Sequence, residues 1–325
     1  MSQSPSKVAL SPIFSNLSIP CGASIAVINI MDNAKSTEAH FKKTILSADP
    51  NAQITWCRMK CAEQGEKYFT EHQHLLSPNY DDWHDVIGKK NFDLVIFTGI
   101  NRGNLSYYDL AKKFPAFWEE TQQLVRKIKS SIHSGTIGHT ALICWAAFAA
   151  MKELYGIEKG IHSEKFYGLF HHSIANPDHP LAQGFGEDAF LVPQSRYSFM
   201  EEDKLSKVIQ QQRGEIVMHG PDGPAIWTLE QNRMTCFINH LEYGIDTLHR
   251  EWKNGQKYLP NCPPPQNYSF DPEGSNLELE VVFEQLGLSC GHFYKNLIHF
   301  AKGQQNNSRT FGCTSGFLPL NRQAG

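Results

Sequence analysis

The 325-residue chain has no apolar run approaching the ~18 residues that a membrane-spanning helix needs. Its amino terminus, MSQSPSKVALSPIFSNLSIPCG, carries one lysine but no continuous apolar stretch of the kind found in a secretory signal. Excess positive charge is also missing. Lys and Arg number 30 against 33 Asp and Glu, a net charge of −3, so neither nucleic acid nor an anionic membrane is an expected partner. The eight cysteines, at 21, 57, 61, 144, 236, 262, 290 and 313, include no C-x-x-C pair. Cys57 and Cys61, four apart, are a weak signal for a metal, and the set reads as thiols of a reducing compartment rather than a disulfide framework. No glycine pattern matches a dinucleotide or phosphate-binding loop, so no nucleotide cofactor is indicated. No internal repeat is visible. These absences predict a cytoplasmic protein with no metal and no permanently bound cofactor.

What is present is a chain 41% apolar and 19% charged, long enough to bury a substantial core. Residues 1–22 and 301–325 are rich in Ser, Asn, Gln, Gly and Pro and are expected to be flexible tails around one α/β domain at 23–300. SIAVINIM (24–31) and FDLVIFTG (92–99) are continuous apolar runs of the type buried on both faces of a parallel sheet, and ITWCRMK (54–60) alternates like a strand. STEAHFKKTILSA reads as a helix opening at Ser36 or Thr37. AFWEETQQLVRKIKSSIHSG (116–135) places Phe117, Trp118, Leu124, Val125 and Ile128 at helical spacing, and GHTALIC follows as another buried strand. Repeated strand–helix–strand units predict a three-layer α/β fold, a mostly parallel sheet covered by helices. Beyond residue 160 the segments look shorter. GEIVMHGPDGPAIWTLE reads as an antiparallel hairpin about a Pro-Asp-Gly turn, MTCFINH as a strand, IDTLHREWKNG as a helix and NCPPPQNYSF as a loop.

GHTALICWAAFAAMKELYGI (138–157) runs an apolar strand into a helical pattern with Cys144 at the bend. A sharp strand-to-helix turn exposes a nucleophile and directs the next backbone N–H groups at an incoming acyl carbon. The thiolate is the attacking form of cysteine, and a helix N-terminus with a nearby imidazole favours it. A cysteine in apolar surroundings is equally what a packed core contains. His240, with Glu242 two residues on, closes a late apolar strand and has the makings of a base and its orienting carboxylate. The loop FTGINRG (97–103) stands at the C-terminal end of a buried strand, where ligands of open α/β sheets bind, and offers backbone N–H groups for an oxyanion beside that of Trp145. A plain β–α turn would look the same. His171, His172 and His179 read as structural or surface histidines rather than metal ligands.

Taken together, NIMDNAKSTE, FTGINRG, ICWAAFAAMKELYGI, SEKFYGLFHHSIANPDHPLAQGF, FLVPQSRYS and INHLEYGIDTL resemble, in order, the motifs of the homoserine O-succinyltransferase family, whose fold is class I glutamine amidotransferase-like. The resemblance covers most of 24–255. It implies Cys144 as acyl-accepting nucleophile, His240 as base, Glu242 as its partner, and Ile100, Asn101 and Trp145 as the oxyanion site. It also implies succinyl-CoA or acetyl-CoA as co-substrate and homoserine or a related amino acid as acceptor. A homodimer is a candidate assembly. Lys165, Ser195 and Arg196 fall in substrate-contacting segments. Gly103 falls where a small residue goes with a succinyl donor and a glutamate with an acetyl donor. The chain departs from the family at Asp32, Asn33 and Ala34 in the opening segment and at Ile100–Asn101. It departs also at Asn254, which replaces the arginine that holds the amino acid carboxylate, so that Arg250 or Lys253 are the candidate substitutes. The same chemistry on another hydroxyl or amine acceptor, an amide hydrolase acting on glutamine, and a non-catalytic binding protein are the competing readings.

Overall fold

The apolar runs of the first half all become strands of one sheet. The structure is a computed structural model that describes residues 22–31, 33–64, 72–100, 103–186, 190–257 and 262–312. Along the chain it places β1 (Ser24–Ile28), α1 (Ala34–Ala48), β2 (Gln53–Arg58), α2 (His72–Leu75), β3 (Tyr80–Asp82), α3 (Trp83–Val86) and β4 (Phe92–Phe97). Then follow α4 (Tyr107–Lys113), α5 (Pro115–His133), β5 (Ile137–Ile143), α6 (Trp145–Tyr155), β6 (Gly160–Ile174), β7 (Phe190–Phe199) and α7 (Glu202–Gln211). The last elements are β8 (Ile216–Gly220), β9 (Gly223–Leu229), β10 (Met234–Phe237), α8 (Thr247–Gln256) and α9 (Leu277–Gly312).

The ten-stranded sheet has the order β3-β2-β1-β4-β5-β10-β9-β8-β6-β7. From β3 to β10 every neighbour is parallel, and from β10 to β7 every neighbour is antiparallel. Successive residues of a strand face opposite sides of the sheet. All seven residues of β5 are buried, so both of its faces are covered. Helix α9 lies against β4 and β5 beside α1, and α5 packs with α6 against β5. The core covers both faces of the sheet, and the C-terminal ends of β4, β5 and β10 come together beside it, where a ligand of such a sheet binds.

Several sequence expectations are corrected. Helix α1 opens at Ala34 after Asn33, ahead of Ser36 and Thr37, because Ala34 is itself buried and the Thr37 N–H reaches back to the Asn33 carbonyl. The antiparallel part is larger than one hairpin: β8 and β9 form the expected pair, but β6 and β7 extend it. Strand β6 is fifteen residues long, contrary to the short segments expected beyond 160. Its Gly168 adopts φ +141°, and an added Cβ there would overlap the backbone of Gln266, whose N–H and C=O bond Tyr167 and Leu169. The proline-rich loop is thus anchored to the sheet. Finally, α9 carries the chain past residue 300, where composition predicts a tail. Ala301 and Gln305 are buried, continuing the apolar face of Leu286, Cys290, Phe293, Leu297 and Ile298.

Candidate active site

Cys144 occupies the bend between β5 and α6 in a backbone conformation, φ 50° and ψ −111°, that an L-residue adopts only when its surroundings impose it. Its N–H donates to the Phe237 carbonyl at 2.7 Å, tying the bend to the end of β10, and its carbonyl accepts from the Ala147 N–H. Gly99, two residues beyond β4, touches the other side of the bend. A Cβ at Gly99 would stand 3.1 Å from the Cys144 Cβ, 3.2 Å from the Ile143 carbonyl oxygen and 3.6 Å from the Trp145 nitrogen. Glycine is needed there for close approach. Gly99→Val is expected to lower stability by about 1–3 kcal/mol through overpacking, read as a lower denaturant midpoint at unchanged slope.

His240 follows β10 in a short turn, its N–H donating to the Pro193 carbonyl at 3.0 Å. Its Nδ1 lies 2.7 Å from Glu242 Oε1, its ring stacks on Tyr243 with centroids 4.3 Å apart, and its side chain is hydrogen-bonded to that of Cys144. Burial works against a charged imidazole here. The negative charge of Glu242 and the hydrogen bonds to Cys144 and Glu242 outweigh it and push the histidine up to about 10. An imidazolium beside the sulfur is the counter-ion that a thiolate nucleophile requires. Glu242 Oε2 is buried with no hydrogen-bond partner among the described residues. The sequence order thus brings Cys144, His240 and Glu242 into one line of contact.

Two cavities meet at Cys144. The larger, about 510 Å³, is lined by Gly103, Phe148, Lys165, Ser198, Trp252 and Lys257, among others. The smaller, about 220 Å³, is lined by His40, His240, Glu242, Tyr243, Arg250 and neighbouring groups. Asn33, Ile100, Cys144, Ser195, Glu251 and Asn254 border both. Ile100 and Trp145, whose N–H opens α6, line the larger cavity with Cys144. The N–H groups that open a helix lack partners within it, as an oxyanion site demands. Asn101 lies outside the described residues.

Lys165 and Ser195 converge on a residue that the sequence did not single out, Glu251 of α8. Its Oε2 takes Lys165 Nζ at 3.3 Å and Ser195 Oγ at 2.6 Å, and its Oε1 takes Tyr243 Oη at 2.5 Å. Burial opposes ionisation of Glu251, but the Lys165 charge and the Ser195 and Tyr243 hydroxyls more than compensate, holding its carboxyl below the usual range. Arg196 borders the larger cavity, yet its guanidinium is committed to Asp222, the Ser198 carbonyl and Gln194. Arg250 does reach the smaller cavity, though Asp246 holds its Nε at 2.9 Å. Lys253 does not line either cavity, because its ammonium lies over the Trp252 ring. Asn254 is exposed and borders both. Among the histidines considered for a metal, His172 is buried between the Phe170 carbonyl and Gln194, and His179 caps a short turn through Leu181. Burial pushes the Cys57 thiol up to about 12.

The sequence model of homoserine O-succinyltransferase matches residues 21–308 of this chain. The chain belongs to the homoserine O-succinyltransferase family. It is 28% identical over 235 residues to the homoserine O-succinyltransferase of Pelagibacterium halotolerans, covering 70% of each chain. With that of Vibrio vulnificus it shares 29% over 229 residues, 70% of this chain and 67% of the relative. Family membership makes it a transferase. Among solved structures it is similar to a glutamine amidotransferase from Thermotoga maritima, at a TM-score of 0.53 and 14% identity over 86% of this chain and 99% of that one. A glutamine amidotransferase from Methylobacillus flagellatus gives 0.52 at 13% identity, over 86% of this chain and 95% of that one. These likenesses establish the α/β fold read from the sequence.

Proposed function

We propose that this family member transfers an acyl group, succinyl in the first instance, from CoA to the hydroxyl of homoserine through a covalent thioester on Cys144. The observation that carries the proposal is that Cys144, His240 and Glu242 line one cavity, with the imidazole held 2.7 Å from Glu242, where a second cavity also reaches Cys144. In the first half-reaction the Cys144 thiolate attacks the thioester carbonyl while the N–H groups at Ile100 and Trp145 take the developing negative charge. The carbon–sulfur bond to CoA breaks, and the leaving thiolate takes the proton of the His240 imidazolium. Acylation also removes the charge and hydrogen bond by which Cys144 helps to keep His240 protonated. The imidazole is then a base for the second half-reaction. It takes the acceptor hydroxyl proton, the oxygen attacks the acyl carbon, and the Cys144 thiolate leaves as the ester departs. Glu242 orients the ring throughout.

Two cavities suit two substrates. The larger has the volume for the CoA-linked donor, with Lys257 on its wall, and the smaller surrounds His240 and admits a small amino acid. Arg250 stands one helical turn before Asn254 and takes over the carboxylate that the missing arginine would hold. Steady-state assays with succinyl-CoA and homoserine test the reading. Parallel double-reciprocal lines and an O-succinyl ester product are expected; sequential kinetics, or ammonia from glutamine without use of CoA, refutes it. Arg250→Ala is expected to raise the KM for the acceptor by about tenfold, with little change in the succinyl-CoA dependence.

A further inference from the structure

The smaller cavity holds a second histidine, His40 of α1, which the acyl transfer does not use. It lines the cavity together with Cys144, His240 and Glu242. The charged side chains on the same wall are already paired. Glu242 lies 2.7 Å from His240 Nδ1, Glu251 takes Lys165 at 3.3 Å, and Arg250 Nε stands 2.9 Å from Asp246. Arg250 Nη2 is shared as well, 3.2 Å from the other Asp246 oxygen and 3.4 Å from Thr247 Oγ1. The half-buried His40 ring makes no hydrogen bond among the described residues. Asn33 and Asn254 border the cavity too, but an amide cannot gain a charge.

We infer that His40 holds the carboxylate of the acceptor together with Arg250, and so distinguishes an amino acid from a hydroxyl compound that lacks the acid group. The assignment rests on the acyl-transfer reading above and deepens it on the acceptor side. An arginine whose charge is already balanced by an aspartate is a weak sole anchor for a second carboxylate, and a buried carboxylate needs further donors. The imidazole is the uncommitted group of the cavity that can become a cation. Glu242 faces it from the turn after β10, Asp246 and Arg250 from α8, and Lys43 from its own helix. Burial lowers its pKa; Glu242 and Asp246 work against the shift, and Arg250 and Lys43 add to it. The free ring is therefore neutral at pH 7, and a carboxylate bound against it raises its pKa and draws in a proton. The contribution to acceptor binding is complete below the pKa of the free ring. It falls by about tenfold per pH unit above that value and levels off above the pKa of the ring in the complex.

The test compares kcat/KM for homoserine and for homoserinol, in which a hydroxymethyl group replaces the carboxylate, with succinyl-CoA as donor. Full-length wild-type protein, His40→Ala and His40→Gln are assayed at about pH 6 and about pH 8, either side of an ordinary imidazole pKa. Wild-type protein is expected to prefer homoserine, and to lose part of that preference as the pH rises. His40→Ala is expected to cut the preference by about tenfold at the lower pH, the size of one charge-assisted hydrogen bond, and to make it independent of pH. His40→Gln keeps a donor without the charge, so a smaller loss and the same flat pH profile are expected. An unchanged preference in His40→Ala overturns the assignment. So does an equal loss with both acceptors, which marks His40 as a support of the cavity wall. If wild-type protein forms an ester with neither acceptor, the acyl-transfer reading falls and the assignment falls with it.

Discussion

Replacing Cys144 with alanine is expected to reduce acceptor-dependent release of CoA by at least about 10³-fold, because in the proposed mechanism the residue forms the bond that divides the reaction into two steps. Cys144→Ser should be nearly as inactive, since a hydroxyl beside His240 offers no comparable anion. Both variants should fold. The sulfur is buried among apolar neighbours without being a large part of the core, and serine or alanine adopts the strained turn as readily as cysteine does. A circular dichroism melt within a few degrees of wild type, with activity lost, is the expected pair of results. Retention of CoA release in Cys144→Ala would transfer the chemistry to another group.

The second large effect belongs to Glu251. This carboxylate joins Lys165, Ser195 and Tyr243, and Tyr243 in turn stacks on the His240 imidazole. Glu251→Gln keeps the size but removes the charge that Lys165 faces. A loss of about 10²-fold in kcat/KM is expected, from two weakened charge-assisted contacts and the looser support of His240. The side chain keeps a fifth of its surface accessible, so the stability cost is expected to stay near 1 kcal/mol. A double-mutant cycle with Lys165→Met separates the parts. Strong non-additivity is the expected outcome, and additive losses would mean that the two residues act independently.

The elbow was legible because its signals are local. An apolar run, a cysteine and a helical pattern lie within twenty residues, and β-branched or bulky apolar residues at 24–28 and 92–97 read as buried strands for the same reason. His240 and Glu242 were legible as a pair at the end of a strand. Glu251 was not, because within HREWKNG it is one charged residue on a polar helix, and only the packing of α8 against β6 and β7 turns it toward Lys165 and Ser195. Helix α9 was hidden by its composition: its buried positions, Leu286, Cys290, Phe293 and Leu297, are spaced among polar residues, and a proline-rich loop precedes it. Strand β6 carries Gly168 in its middle, a residue that strands disfavour and that here serves the contact with Gln266. Lys253 shows the opposite failure, since proximity in sequence to Asn254 did not place it in the cavity.

The central claim is a thioester on one sulfur. Full-length protein is mixed with succinyl-CoA alone, quenched in acid, and its intact mass and cysteine-containing peptides are determined. The account predicts one succinyl group per chain, located on Cys144, that disappears on addition of homoserine with stoichiometric formation of the ester. An unmodified Cys144 during continued acceptor-dependent release of CoA would contradict it.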